Sequence, residues 1–322
     1  MDPIAARLPG RDMPELLLGY VGLGTIGLRV ASRLAAAGHR LIVCDAAPGR
    51  AQALCDSHAK VTEAGTPAEV AATPGLSALF VCLPDPAAGD QVLLGPSPDS
   101  VVSVAPAGLV VVDNSTVDAE TAARLHRALW ERGVAYLECP VLGGAAQAEE
   151  GTLFAVLSGD ADAYAQVQSL LPLFSREHRF VSSEPGAAST IKSVQNGLGL
   201  IQWAGMVEAL GLVAKSGVDL ATFYDVVTNG GGMADTNLFR AQARKIIDGD
   251  MSFNAHLRIG AKDIGLANSL AAKHGIQAPT FAAANSVFQA AMAMGLGEKE
   301  IAELARVVEC SCGATIIGAG KL

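Results

Sequence analysis

A chain of 322 residues that is half hydrophobic and only 17% charged can bury a large core, and its length suggests two domains. The net charge of −9 is spread over intermixed acids and bases, so it forms no basic stripe and excludes nucleic acid as the expected partner. Residues 1–14 hold three prolines and four charges, unlike a signal peptide, and apolar runs such as residues 109–112 and 198–201 fall far short of the roughly 20 residues that cross a bilayer. The expectation is a soluble, cytoplasmic protein with no membrane partner.

Residues 1–15 read as a disordered lead-in. From there to residue 185, short β-rich runs at 16–21, 41–44, 79–83, 110–113, 136–139, 154–157 and 180–182 alternate with amphipathic helical segments. Strands alternating with helices imply a largely parallel sheet covered on both faces, a doubly wound α/β domain over 16–185. After Pro185-Gly186 the β-rich runs stop, and residues 186–322 read as an all-helical domain for substrate binding and dimerisation. Its opening helix, residues 187–216, is proline-free and apolar on more than one face, so it should run through a core, one shared between two subunits being an option. A homodimer or dimer of dimers is expected.

Cys44, Cys55, Cys82, Cys139, Cys310 and Cys312 include several within apolar runs, where a thiol packs as a small hydrophobe. Cys310 and Cys312 stand too close for the usual zinc spacing and the histidines form no paired motif, so no metal is expected.

The first chemical motif follows the first strand: Gly22-Leu23-Gly24-Thr25-Ile26-Gly27. Gly22 permits a tight bend, Gly24 lets backbone approach a pyrophosphate, and Gly27 packs a helix closely on the sheet, with N–H groups at the helix start facing phosphate. Asp45 ends the second strand, where a carboxylate accepts hydrogen bonds from adenosine ribose hydroxyls and disfavours a 2′-phosphate, pointing to NAD. Arg50 leaves room for NADP. Leu83-Pro84 follows a strand at the carboxyl edge, where ligands of open α/β sheets collect, although the proline also simply ends a strand.

Thr116, in Asp113-Asn114-Ser115-Thr116, stands where strand passes to helix and suits either a cap or a ligand contact. Gly143-Gly144, after Leu142 and before a short helix, offers backbone N–H groups to a carboxylate; an ordinary turn is the alternative. Lys192 and Asn196 are four apart on the opening helix of the second domain and share a face that can point into an interdomain cleft. A lysine there can remove the hydroxyl proton as hydride leaves carbon, and return it in reverse, provided its pKa falls from about 10.4. The run Asn229 to Asp235 is glycine-rich but lacks the Gly-Lys-Ser/Thr of a phosphate loop.

Taken in order, Gly22-x-Gly24-x-x-Gly27, Leu83-Pro84, Asp113–Thr116, Pro140-Val141-Leu142-Gly143-Gly144, Lys192-x-x-x-Asn196 and Lys262-Asp263 make the chain resemble the β-hydroxyacid dehydrogenase family from about residue 16 to 295. The resemblance implies an NAD-dependent oxidoreductase of the 3-hydroxyisobutyrate dehydrogenase type, interconverting a short 3-hydroxy acid and its semialdehyde or keto acid. It makes Lys192 the catalytic lysine, with Asn196 orienting substrate, Thr116 touching nicotinamide or substrate, and Lys262 near the cofactor. It places Met233 and Asp235 beside the substrate pocket. The chain departs from the family pattern at Ala188, Gln195 and Leu142; the last stands where serine is common and suggests a more apolar acid. An imine reductase shares the architecture but usually carries Asp or Tyr in place of the lysine, and a regulatory nucleotide-binding module would have lost the Lys192/Asn196 pair.

Overall fold

A computed structural model describes residues 13–321. Most of the expected lead-in, residues 1–12, lies outside the described residues. Residues 13–16 precede the first strand, and Glu15 pairs with Lys60 at 2.5 Å.

The first compact unit ends at Lys192 and the second begins at Ser193. In the first, among the described residues, nine strands form one sheet: β1 Leu17–Val21, β2 Arg40–Cys44, β3 Val61–Glu63, β4 Ala78–Val81, β5 Val110–Asp113, β6 Ala135–Glu138, β7 Val141–Leu142, β8 Leu153–Gly159 and β9 Ser175–Ser182. Their order is β3-β2-β1-β4-β5-β6-β8-β7, with β9 paired to β8. The first six are joined in parallel, and the antiparallel β8 pairs with β6 and β7. Helices α1 Gly27–Ala36, α2 Arg50–Ser57, α3 Pro67–Ala71, α4 Pro86–Gly89, α5 Val101–Val104, α6 Ala119–Trp130, α7 Ala145–Glu150 and α8 Ala161–Val167 lie between strands in the chain. This is the doubly wound Rossmann arrangement.

Strand alternation sends neighbouring residues to opposite faces of the sheet. Tyr20, Phe80, Val110 and Val112 join one core, while Val21, Leu79, Val81 and Val111 join the other. Both faces are therefore apolar, which is why the central strands read as continuous hydrophobic runs. Tyr20 stacks on Phe80 at 5.9 Å, and Phe174 meets Phe80 edge-on at 6.2 Å. The buried guanidinium of Arg33 on α1 donates to the carbonyls of Leu173 and Glu149, fixing that helix from its far side.

The second unit is helical: the remainder of α9 Ala187–Lys215, then α10 Leu220–Asn229, α11 Asn237–Ile247, α12 Leu257–Lys273, α13 Pro279–Ala293 and α14 Ala305–Cys312. Its core gathers Trp203, Val207, Leu210, Phe239, Ile264 and Phe288, among others. Contrary to the expectation that no segment has membrane length, α9 is long and apolar enough by composition to span a bilayer. Small and aliphatic residues interrupted by Ser, Gln and Asn disguised it as several short runs. Of its most apolar window, 44% is buried inside the protein.

Candidate active site

The glycine turn is built as its spacing suggests. Gly22 has φ +94°, and a Cβ there would lie 2.3 Å from the Cys82 carbonyl oxygen. At Gly27 a Cβ would lie 2.0 Å from the Gly22 oxygen, so α1 can start this close to β1 only without a side chain. Gly24 differs: a Cβ would meet nothing within 4 Å, leaving its backbone approachable. Thr25 is exposed and Ile26 precedes α1 without a side-chain cap hydrogen bond. An open glycine backbone beside an uncapped helix N-terminus suits a pyrophosphate. The residues present fit a dinucleotide.

Asp45 lies one residue beyond β2 with its side chain only 7% exposed. Its carboxylate accepts from the Leu23 N–H at 2.6 Å and the Ala47 N–H at 2.7 Å. The acid is thereby fixed against the glycine turn. Arg50, 53% exposed, reaches it at 3.5 Å. Burial and Asp45 together push the neighbouring Cys44 thiol up to about 11, which keeps it protonated at neutral pH.

At the carboxyl edge of β4 and β5, the Leu83 N–H donates to Ser115 Oγ at 2.8 Å, and the Ser115 N–H donates to Asp113 Oδ1 at 2.8 Å. Asn114 joins Tyr20 to the Cys139 carbonyl, with distances of 3.2 and 2.8 Å. These buried links hold Leu83, exposed Pro84 and half-buried Thr116 along one edge. Ser115, which the sequence reading did not single out, supports Leu83. Thr116 is not the helix cap: Asp118 caps α6, accepting from the N–H groups of Glu120 and Thr121. An Asp directly before a helical pattern was the signal for it.

Lys192 is buried, 8% exposed, and its Nζ donates to the Val141 carbonyl at 2.7 Å. Val141 immediately precedes Leu142, Gly143 and Gly144, so the ammonium is tethered to the predicted carboxylate-binding segment. Gly143 has φ +119°, and both glycines are exposed. The Gly144 N–H donates to Gln147 Oε1 at 2.9 Å, so an anion at this atom must displace the Gln147 amide.

In the second unit, Asn196 Nδ2 donates to Asp263 Oδ2 at 2.7 Å, and Lys262 Nζ lies 3.0 Å from Asp263 Oδ1. Buried Asp263 thus joins two predicted site residues and fixes the Asn196 amide. Asp235 is engaged by Arg240 at 2.6 and 2.7 Å, and Arg240 also donates to the Thr228 carbonyl. Arg240 therefore clasps both ends of the glycine loop, while Met233 at its tip is fully exposed. Phe253 packs edge-on against His256 at 4.6 Å. Among the described residues no cluster of three or more His, Cys, Asp or Glu could hold a metal ion.

A glycine turn, a strand-end acid and a lysine at the start of the long helix define a dinucleotide-binding oxidoreductase. The NAD-binding domain family of 6-phosphogluconate dehydrogenase matches residues 17–182, and the NAD-binding family of NADP-dependent 3-hydroxyisobutyrate dehydrogenase matches residues 186–308. The chain belongs to the β-hydroxyacid dehydrogenase family. It is 28% identical over 305 residues to 2-(hydroxymethyl)glutarate dehydrogenase of Eubacterium barkeri, covering 94% of this chain and 98% of that one. The solved structure of 3-hydroxyisobutyrate dehydrogenase from Salmonella typhimurium superposes with a TM-score of 0.82 at 27% identity, covering 91% of this chain and all, 100%, of that one. Psf3 in complex with NADP+ and 2-OPP gives a TM-score of 0.79 at 27% identity, covering 90% of this chain and 99% of that one.

Proposed function

We propose that this chain is an NAD-dependent dehydrogenase that interconverts a short 3-hydroxy acid and its semialdehyde or keto acid, with Lys192 as general acid and base. The observation that carries the reading is the buried Lys192 ammonium, held by the Val141 carbonyl two residues before Gly143-Gly144. Bound nicotinamide supplies the hydride acceptor in oxidation and the donor in reduction. Neutral Lys192 takes the hydroxyl proton as the C–H bond gives up its hydride; the ammonium returns that proton to the carbonyl oxygen in reverse. Asn196, its amide oriented by Asp263, leaves its carbonyl oxygen and second N–H for the substrate hydroxyl.

Gly143 and Gly144 supply backbone N–H groups for the acid's carboxylate, and Leu142 beside them favours an apolar substituent on the substrate. Thr116, Leu83 and Pro84 border the nicotinamide end, and Lys262 adds positive charge near the cofactor. Gly22, Gly24, Thr25, Ile26 and Gly27 receive the pyrophosphate. Asp45 favours NAD, since a 2′-phosphate beside its carboxylate would meet like charge; Arg50, at 3.5 Å, is the residue that tempers this preference. A homodimer or dimer of dimers is supported by Ile191, Val194, Leu198 and Leu212, which leave an exposed apolar stripe along α9.

Initial rates with NAD and NADP against 3-hydroxyisobutyrate, serine, glycerate, threonate and 2-(hydroxymethyl)glutarate test the reading. At least one acid should be turned over, with NAD preferred about tenfold or more in kcat/KM, a difference of about 1.4 kcal/mol. No turnover of any of these acids, or a strong preference for NADP, would overturn it.

A further inference from the structure

Glu138, the last residue of β6, is 1% exposed, yet every hydrogen-bond partner identified for its carboxylate is a donor. Oε1 accepts the Gly186 N–H at 2.5 Å and the Ser158 hydroxyl at 3.0 Å. Oε2 accepts the Ser189 N–H at 3.0 Å and the Ser189 hydroxyl at 2.6 Å. Ser158 Oγ in turn accepts the Ala188 N–H at 2.9 Å.

Gly186, Ala188 and Ser189 open α9, and an α-helix cannot satisfy its first N–H groups internally. One carboxylate and one serine meet three of them. A negative charge at that end also opposes the positive end of the helix dipole. Burial raises the Glu138 carboxyl above its ordinary value, and the bonds from Gly186 and Ser189 work against that rise.

The same stretch of chain holds the helix a second time. Three residues after Glu138, the Val141 carbonyl takes Lys192 Nζ at 2.7 Å, and Lys192 lies one turn beyond Ser189. Residues 138–141 thus grip α9 at its first turn and again at its lysine. Sliding or fraying of that first turn would carry Nζ away from Val141 and from Gly143-Gly144.

We propose that Glu138 is a positioning residue for hydride transfer: by anchoring the start of α9 it sets where Lys192 Nζ stands. The proposal rests on Lys192 being the proton-exchanging group. Substituting Glu138→Gln keeps the size but turns an N–H donor towards Gly186 or Ser189, leaving a buried N–H unmet. Glu138→Asp keeps the charge, and Ser189→Ala removes a single donor if the glutamine variant fails to fold.

Two readouts on the full chain separate this proposal from the function itself. The first is kcat and KM with the best wild-type substrate, per NADH-binding site. Glu138→Gln should lower kcat about tenfold to a hundredfold, as expected for a catalytic group displaced by about 1 Å, and leave the KM for NAD within about twofold. Glu138→Asp should recover part of the loss. The second readout is the rate at which acetic anhydride acetylates Lys192 relative to exposed Lys60, read by mass spectrometry. It should rise about threefold or more in Glu138→Gln, with a smaller rise in Ser189→Ala, as local opening frees a buried amine.

A folded Glu138→Gln protein, or failing that Ser189→Ala, with wild-type kcat overturns the proposal, and so does unchanged Lys192 labelling. If the wild-type protein oxidises none of the acids tested, it is the proposed function that fails, and the labelling result alone decides whether Glu138 holds Lys192.

Discussion

Replacing Gly24 by alanine should separate cofactor binding from folding. Its φ lies outside the left-handed region and a Cβ there meets nothing within 4 Å, so the apoprotein has no steric reason to lose stability. Restricting the unfolded chain should even stabilise by about 0.4–1 kcal/mol. The methyl group does, however, occupy the approach that a pyrophosphate needs. Losing close contact between phosphate and backbone should weaken NADH binding at least about tenfold, or about 1.4 kcal/mol. Gly27→Ala is the control: its Cβ would sit 2.0 Å from the Gly22 oxygen and 3.1 Å from Cys82 Cβ, so backbone must move. Overpacking of this kind costs about 1–3 kcal/mol, and both stability and binding should fall. NADH fluorescence titration alongside thermal unfolding reads both quantities. Wild-type NADH affinity in the Gly24→Ala protein would refute the pyrophosphate assignment, as would a drop in Tm equal to that of Gly27→Ala.

Two further outcomes follow from the hydrogen bonds. Asp45→Ser shortens the acid that ties Leu23 to the end of β2 and removes its charge, so the kcat/KM ratio of NAD to NADP should fall by about tenfold or more; an unchanged ratio would remove Asp45 from cofactor choice. At Asp118, burial raises the carboxyl pKa, but bonds from Thr121 and Glu120 outweigh it and hold it below the usual 3.8. Because the folded value lies below the unfolded one, this stabilisation is present above pH 3.8 and is lost as pH falls through the folded value. Asp118→Ala should therefore cost about 1 kcal/mol at neutral pH, with the difference from wild type shrinking on acidification in denaturant melts.

The sheet was legible where burial on both faces makes a strand uniformly apolar, as in Val110-Val111-Val112. It was not legible where pairing rather than composition makes the strand. In β3 only Val61 is buried, β7 is two residues long behind Pro140, and β9 begins Ser-Arg-Glu-His-Arg with most side chains exposed. The β-rich pattern of that polar edge starts only at residue 180, although it pairs with β8 from Ser175.

Helical periodicity brought Lys192 and Asn196 to one face, but their partners are beyond its reach. Val141 lies 51 residues before Lys192, and Asp263 lies 67 after Asn196. Two partners are local and visible in the spacing: Gln147 three residues after Gly144 is the spacing of a capping pair, and Arg240 five after Asp235 closes the glycine loop.

The central claim is that Lys192 exchanges the proton, and single-turnover hydride transfer in Lys192→Ala tests it most directly. NADH affinity should stay within about twofold of wild type while the transfer rate falls by about 10²–10⁴. Transfer at close to the wild-type rate, with cofactor binding intact, would contradict the mechanism.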